Sequence, residues 1–303
     1  MNIKEYIRNP GRIVLSLGNH ELVNWMPDKQ FISLAFHARM GRKLDWNNLQ
    51  TFNEKQQWLK LYDRNPMYHQ YVDKYEVRKV IADKIGEEYL IPIIGVWDDF
   101  DEIEISRLPN QFVMKCTHDS GSVVICKDKN TFDFSSAEKI IRKAMKRNFY
   151  MHSREWPYKG LKPRIIVEEL LQNEDGKEVS DYKLQCFHGK FDNSLVCVNR
   201  YGVGGVKYFY FDREWKLLPY SIYQSDYDSL KNLIPQNYEK MIEFAEILSE
   251  GVPELRVDFY EVNGKIYFGE LTFFSSGGCD TTITYEADLL LGKKLLLPSC
   301  EVE

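Results

Sequence analysis

The 303-residue sequence contains no Cys-x-x-Cys pair. Its six cysteines (Cys116, Cys126, Cys186, Cys197, Cys279, Cys300) are scattered, which argues against a zinc centre and a disulfide framework. Several lie in apolar, strand-like runs, where buried free thiols are expected. No apolar run approaches the ~20 residues that cross a bilayer. The opening "MNIKEYIRNP" lacks the apolar core of a secretory signal, so a cytoplasmic location is expected. Internal repeats, low-complexity segments and long linkers are absent. There is no G-x-x-x-x-G-K-[ST] phosphate loop and no Ser-His-Asp order for a nucleophilic triad. Nor is there an excess of positive charge. The formal net charge of −5 argues against a dedicated nucleic-acid binder.

The composition is that of a soluble globular protein, 44% hydrophobic and 28% charged, with 19 Tyr, 17 Phe and 6 Trp. The length exceeds one simple core, so two or three subdomains are expected. Residues 1–110 read as a helical and mixed N-terminal region. "QFISLAFHARMG" and "FNEKQQWLKLYD" have helical spacing, with Gly41 ending the first. "DKYEVRKVIADKIG" is a third helix, capped by Gly86. "YLIPIIGVW" is a short strand. Residues 111–171 read as a compact α+β unit: strands "NQFVMKC" and "SVVICKDK" joined by "THDSGS", a helix "SSAEKIIRKAMKRNF" capped by Ser135 or Ser136, and a strand "KPRIIVEELL". Residues 172–303 are β-rich, with a hairpin turning at His188-Gly189-Lys190. In the helix "IPQNYEKMIEFAEILSEG", Met241, Phe244, Ala245 and Leu248 form the buried stripe.

The hairpin "RVDFYEVNGKIYFGELTFF" carries Asp258 on one strand and Glu270 on the other. Burying two unpaired carboxylates together is costly. An Asn-Gly two-residue turn would put them on opposite faces. Leu255, Val257, Phe259, Tyr267, Leu271 and Phe273 are all odd-numbered. A three-residue connection with Gly264 in a bulge would gather those six on one face. It would bring Arg256, Asp258, Glu270 and Thr272 together on the other. Two carboxylates with a hydroxyl suit Mg²⁺, which takes one or two carboxylates plus phosphate oxygens. A solvated face with an Arg256–Asp258 pair fits the same pattern.

Elsewhere, "VMKCTHDSGSVVI" puts Lys115 on a strand before a small polar loop able to lay backbone N–H groups over phosphates; a plain hairpin turn has the same composition. "DKYEVR" places Lys74 at a helix start, and "VEELL" ends a strand in Glu168-Glu169. Each of these is ordinary alone, but their order is specific. The stretches "DKYEVRKVIADKIGEEYLIP", "FVMKCTHDSGS", "REWPYKGLKPRIIVEELL" and "RVDFYEVNGKIYFGELTFF" resemble the TupA-like ATP-grasp family of bacterial surface-polysaccharide biosynthesis. The resemblance runs from about residue 51 to 274.

It implies an α+β ATP-grasp fold in which two β-rich subdomains clasp ATP. It implies that Lys74 and Lys115 reach the phosphates. Asp119, Ser120, Gly121 and Ser122 would form the mobile phosphate loop. His118 would be either a phosphate contact or a surface histidine. Glu168 would sit near the adenine amino group, with backbone groups of Glu169 and Leu171 at the ring edge. Asp181 and Lys183 match an Asp-x-[Arg/Lys] element, and Lys183 would approach the γ-phosphate. Asp258 and Glu270 match metal-bridging carboxylates that would hold two Mg²⁺ ions. Many relatives place Asn two residues after that Glu; here Thr272 stands there, a shorter and poorer ligand. Arg200 and Arg256 are candidates for balancing oxyanion charge. The implied reaction is an ADP-forming carboxylate–amine ligation through an acylphosphate, on a saccharide or amino-acid precursor. Its partners are a carboxylate and an amine, without nucleic acid or a membrane span; peripheral association with polysaccharide machinery is left open. A phosphotransferase acting on a sugar hydroxyl would keep ATP and the metal. A glycosyltransferase would need a sugar-nucleotide site, and no Asp-x-Asp element stands in a suitable strand-end context. The region before residue 70 is expected to shape part of the substrate site, without an assignable residue.

Overall fold

A computed structural model describes residues 15, 17–18, 22–176, 179–199, 205–225 and 227–298. The described strands form two antiparallel sheets. Strands β1 (Ile93–Trp97), β2 (Phe112–Cys116), β3 (Val123–Cys126) and β4 (Ile165–Glu168) build a four-stranded sheet of order β1-β4-β2-β3. Strands β5 (Ser180–Phe187), β6 (Lys190–Val198), β7 (Lys207–Phe211), β8 (Leu217–Leu218), β9 (Glu254–Val262) and β10 (Lys265–Thr272) build a six-stranded sheet of order β10-β9-β5-β6-β7-β8. Each sheet has its own core. Phe112, Met114 and Cys116 of the first pack with Ile141 and Ala144 of the helix Phe134–Met145. Leu184, Val257 and Phe259 of the second pack with Met241, Phe244, Ala245 and Leu248 of the helix Tyr238–Leu248.

The N-terminal helices α1 (Asp28–Met40), α2 (Phe52–Tyr62), α3 (Met67–Val72) and α4 (Val77–Lys84) precede the first sheet. Helix α1 ends where Gly41 enters the left-handed region at φ 70°. Helix α2 begins with a reciprocal cap between Thr51 and Glu54, which satisfies two otherwise orphaned N–H groups. Helix α4 starts at Val77, so Lys74 lies in the turn before it. Helix α5 (Phe134–Met145) is capped by Asp133, not by Ser135 or Ser136. The Asp133 carboxylate accepts both the N–H and the hydroxyl of Ser136, and its charge suits a helix N-terminus.

The β9–β10 hairpin corrects the expected three-residue connection. Val262 pairs with Lys265 across a two-residue Asn263-Gly264 turn, both residues having positive φ. The register then slips between Phe268 and Glu270, so the bulge lies at Gly269 rather than Gly264. A Cβ at Gly269 would stand 2.9 Å from the Asp258 carbonyl oxygen, which explains the glycine. The slip switches parity. Even-numbered Ile266 and Phe268 face the core before it, and odd-numbered Leu271 and Phe273 face it after; all four are buried. It also sets Glu270 opposite Asp258 and Thr272 opposite Arg256.

Candidate active site

Directly opposed residues of antiparallel strands share a face. Strand β5 lies along β9, with Asp181 opposite Tyr260, Lys183 opposite Asp258 and Gln185 opposite Arg256. One face of three adjacent strands therefore gathers Asp181, Lys183, Arg256, Asp258, Glu270 and Thr272. Arg256 grips Asp258 with two N–H groups, Nε to Oδ1 at 2.7 Å and an Nη to Oδ2 at 2.8 Å. Lys183 Nζ lies 2.6 Å from both Asp258 Oδ2 and Asp181 Oδ2. Burial alone would raise the Asp258 carboxyl, but Arg256 and then Lys183 outweigh it and hold it below the usual carboxylate range. Glu270 is the open member of the set. Its side chain is 46% exposed, against 5% for Asp258, and it accepts from Arg256 at 3.4 Å and from the Thr272 hydroxyl at 3.2 Å.

The other expected ATP residues fall into a second group, on and beside the four-stranded sheet. Lys115 Nζ pairs with Glu168 Oε2 at 2.6 Å, and Arg78 approaches the other Glu168 oxygen at 3.4 Å. The Glu169 N–H bonds the Pro92 carbonyl at 3.0 Å. Leu171 lies just beyond, partly buried. Lys74 is fastened twice to the Gly loop: its N–H donates to Thr117 O at 3.1 Å, and its Nζ donates to the Asp119 carbonyl. Burial lowers the Lys74 pKa; Glu270 is the strongest opposing charge, which puts Lys74 within electrostatic range of the carboxylate face. Asp119 is buried and accepts the Ser122 hydroxyl, which closes the loop and leaves Ser120 and Gly121 exposed at its tip. His118 is turned inward, with Nε2 3.2 Å from Arg147 O, so it presents no exposed edge to a phosphate. Arg200 lies outside the described residues.

Sequence reasoning missed several neighbours. Asp73 braces the Lys74 turn by accepting the N–H groups of Tyr75 and Glu76 and the Thr117 hydroxyl. An Asp preceding a helix start was the available signal. Arg78 on Glu168 and Ser275 on Arg256 had none, because both are long-range contacts. A cavity of about 710 Å³ opens beside the carboxylate face. Glu270, Thr272 and Arg256 line one side of it, and Arg39, Tyr158 and the 274–282 segment line others.

At the buried end of this same face, two residues before Arg256 on β9, Glu254 is enclosed, with its oxygens accepting from Gln56 Nε2 at 2.7 Å and Gln185 Nε2 at 3.0 Å. Burial pushes its pKa up from 4.5 to about 7, only partly offset by those amides and Arg256. The folded protein thus keeps a proton that the unfolded chain has released between those pH values. Stability should fall as pH rises from about 4.5 to about 7, by up to about 3 kcal/mol. Glu254→Gln should flatten that slope and raise stability at pH 8; its new amide can donate to Gln56 Oε1, which has no partner. Urea unfolding at pH 5 and pH 8 checks this, and an unchanged slope would dissociate Glu254 from it.

Among the described residues, no group of three or more His, Cys, Asp or Glu could hold a metal ion alone. Asp258, Glu270 and Thr272 offer hard oxygens, which fit Mg²⁺ arriving with phosphate oxygens to complete its shell. The arrangement also sets a condition. Both Asp258 oxygens are held by cations, and phosphates offer those cations other partners.

A search of curated proteins found no match. Among solved structures, D-alanine–D-alanine ligase from Bacillus anthracis complexed with ATP aligns at 13% identity and TM-score 0.39, over 67% of this chain and 55% of that one. The ATP-grasp ligase PsnB, complexed with a phosphomimetic variant of minimal precursor, Mg and ADP, aligns at 12% identity and TM-score 0.40, over 76% and 61%. The ADP complex of the N5-carboxyaminoimidazole ribonucleotide synthetase PurK aligns at 12% identity and TM-score 0.44, over 73% and 50%. The chain thus spans between half and about three-fifths of the length of these structures. The assignment itself rests on the match to the TupA-like ATPgrasp family, which covers residues 54–296 and takes in both sheets and the whole carboxylate face. The chain belongs to the TupA-like ATP-grasp family and has its α+β ATP-grasp fold.

Proposed function

We propose that the protein is an ADP-forming ligase that joins a carboxylate to an amine through an acylphosphate, acting on a saccharide or amino-acid precursor of a bacterial surface polysaccharide. The observation that carries this reading is the carboxylate face, where Lys183 and Arg256 balance Asp181, Asp258 and Glu270 beside an open cavity. Lys74, Lys115 and the exposed backbone at Ser120-Gly121 hold the phosphates. Glu168 and the backbone at Glu169 and Leu171 border the adenine. Asp258 and Glu270 hold Mg²⁺, two ions in this reading, with Thr272 orienting Glu270 through its hydroxyl. The metal supplies charge neutralisation of the phosphates. Lys183 and Arg256 face the phosphoryl group in transfer and the later oxyanion, where fixed positive charge lowers the barrier.

The test is a thermal-shift titration with ATP, ADP and UDP-sugars, with and without Mg²⁺, followed by a panel of acids with ATP and hydroxylamine. A bound ligand raises apparent stability by mass action. A Mg²⁺-dependent ATP shift and acid-dependent hydroxamate with ADP are expected. An acid-stable phosphoester product would make the enzyme a phosphotransferase instead. A shift with UDP-sugars alone would sink the ATP reading.

Lys115→Met should raise the ATP dissociation constant by about ten- to a hundredfold, the worth of one charge-assisted phosphate contact. Calorimetric titration measures it. Unchanged affinity would detach Lys115 from the phosphates.

A further inference from the structure

The cavity beside Glu270 has a second cationic side. Arg39 reaches it from helix α1, donating an N–H to the Ser276 carbonyl at 3.0 Å and lying against the Cys279 sulfur. Arg256 reaches it from β9, donating to the hydroxyl of the adjacent Ser275 at 2.8 Å. Two guanidinium groups from distant parts of the chain thus meet neighbouring residues whose Cα atoms are about 3.8 Å apart. One small molecule can touch both.

Their electrostatic situations differ. Arg256 is occupied by Asp258, Glu270 and Thr272. Arg39 has no carboxylate within ion-pair distance among the described residues. Glu155 acts on Arg39's surroundings only at longer range; it is buried, and its oxygen takes the Ser153 hydroxyl. A guanidinium has five N–H donors. Among the described residues, Arg39 spends its donors only on the Ser276 carbonyl and the Cys279 sulfur, at the wall of a cavity that also carries the hydroxyls of Thr281 and Thr282 and the carboxyls of Glu155 and Asp280.

The backbone there is held in an uncommon form. Ser276, Gly277 and Gly278 all have left-handed φ, at 53°, 64° and 69°. Ser276 is the costly one, since it carries a Cβ, and such positions persist only where the surroundings enforce them. The enforcement is visible: three successive carbonyls, of Ser276, Gly277 and Gly278, accept from Arg39, Lys60 and Gln57. A Cβ at Gly277 would lie 2.7 Å from Arg39 Nη1. Arg39 is thereby fixed at the cavity rather than loose on the surface.

We propose that this cavity is the acceptor site and that Arg39 binds a second anionic group of the acceptor, so that the substrate class is a small polar acid with two anionic groups. The inference rests on the ligase reading above. The reacting carboxylate lies at the Arg256–Glu270 side. The second anion lies at Arg39, and the wall hydroxyls take the polar groups between them. Arg39 is a binding and specificity residue; it does not touch the reacting atoms.

The experiment uses the full chain saturated with Mg²⁺ and ADP. Glutarate and adipate are compared with pentanoate and hexanoate by thermal shift and ligand-observed NMR. The diacids should bind about tenfold more tightly than the monoacids, as expected for one charge-assisted bidentate contact. Arg39→Gln should erase that preference and Arg39→Lys should retain part of it, with ADP affinity unchanged in both; the lost bond to the Ser276 carbonyl should lower the unliganded melting temperature slightly, so the diacid-to-monoacid ratio within each variant is the readout. Equal affinity for the two acid classes, or no binding of either, would overturn the proposal in the wild type alone, whether or not the variants fold. So would a preference that survives in Arg39→Gln. Absence of any nucleotide shift would instead bring down the ligase reading, and this inference with it.

Discussion

Asp258→Asn should cost about 3–5 kcal/mol of folding stability, because it leaves two buried cations without their shared counter-ion. On sequence alone this is a clean charge removal with the fold kept near intact. The structure revises that expectation. Asp258 is clamped by Arg256 through two N–H groups and by Lys183 through one. Lys183 keeps Asp181, and Arg256 keeps Glu270 and Ser275, so the loss should fall toward the lower end of the range. The pH dependence has a definite sign. A depressed carboxyl pKa contributes stability above the unfolded value, near pH 4, and loses it as pH falls through the folded value. The asparagine variant should lack that acid-side component. Urea unfolding at pH 3 and pH 7 tests both parts, and an unchanged midpoint at pH 7 would show that the clamp adds nothing.

Glu270→Gln should do the opposite: leave the fold alone and remove turnover. Its side chain is 46% exposed, and its Arg256 contact is long at 3.4 Å, so the stability change should stay within about 0.5 kcal/mol. If Glu270 holds Mg²⁺, loss of its charge should lower kcat by about 10²–10³ at limiting Mg²⁺, the scale of a lost electrostatic contact in phosphoryl or acyl transfer. Excess Mg²⁺ should restore part of the rate, since the amide can still coordinate weakly. Steady-state ADP release across a Mg²⁺ series measures this. Wild-type turnover at limiting Mg²⁺ would remove Glu270 from the metal site. The two variants separate a carboxylate that holds the fold from one that meets solvent, a distinction their sequence neighbourhoods do not make.

How far the sequence could be read depended on the range of the contacts. Local signals carried well. The helical stripes, Gly41 at the end of α1, and the His188-Gly189 turn needed only neighbours in sequence. The β9–β10 hairpin shows the next level. Asn263-Gly264 signalled a two-residue turn and the apolar pattern signalled an odd offset; both were right, and Gly269 reconciles them. The clue was there: apolar residues change parity between Phe268 and Leu271. The cross-strand gathering of Asp258, Glu270 and Thr272 therefore followed from patterning despite the misplaced bulge. Contacts between elements distant in sequence were illegible. Arg39 on Ser276, Gln56 on Glu254 and Arg78 on Glu168 leave no periodicity to find. His118 shows the converse limit, because loop sequence does not say which way one side chain turns.

The pinning of the Ser276–Gly278 carbonyls by Arg39, Lys60 and Gln57 ties the end of β10 to helices α1 and α2. Hydrogen exchange should therefore find them opening as one unit. The Gly277 and Cys279 N–H groups bond the Phe274 and Ser276 carbonyls inside this pinned segment, so those two amides and helix α2 should share an opening free energy. The loop is short and rich in serine and glycine, which would ordinarily mark it as the first part to fray. Here its protection would be borrowed from a helix more than 200 residues earlier in the chain. Ligands that tighten the cavity would slow exchange in both places at once.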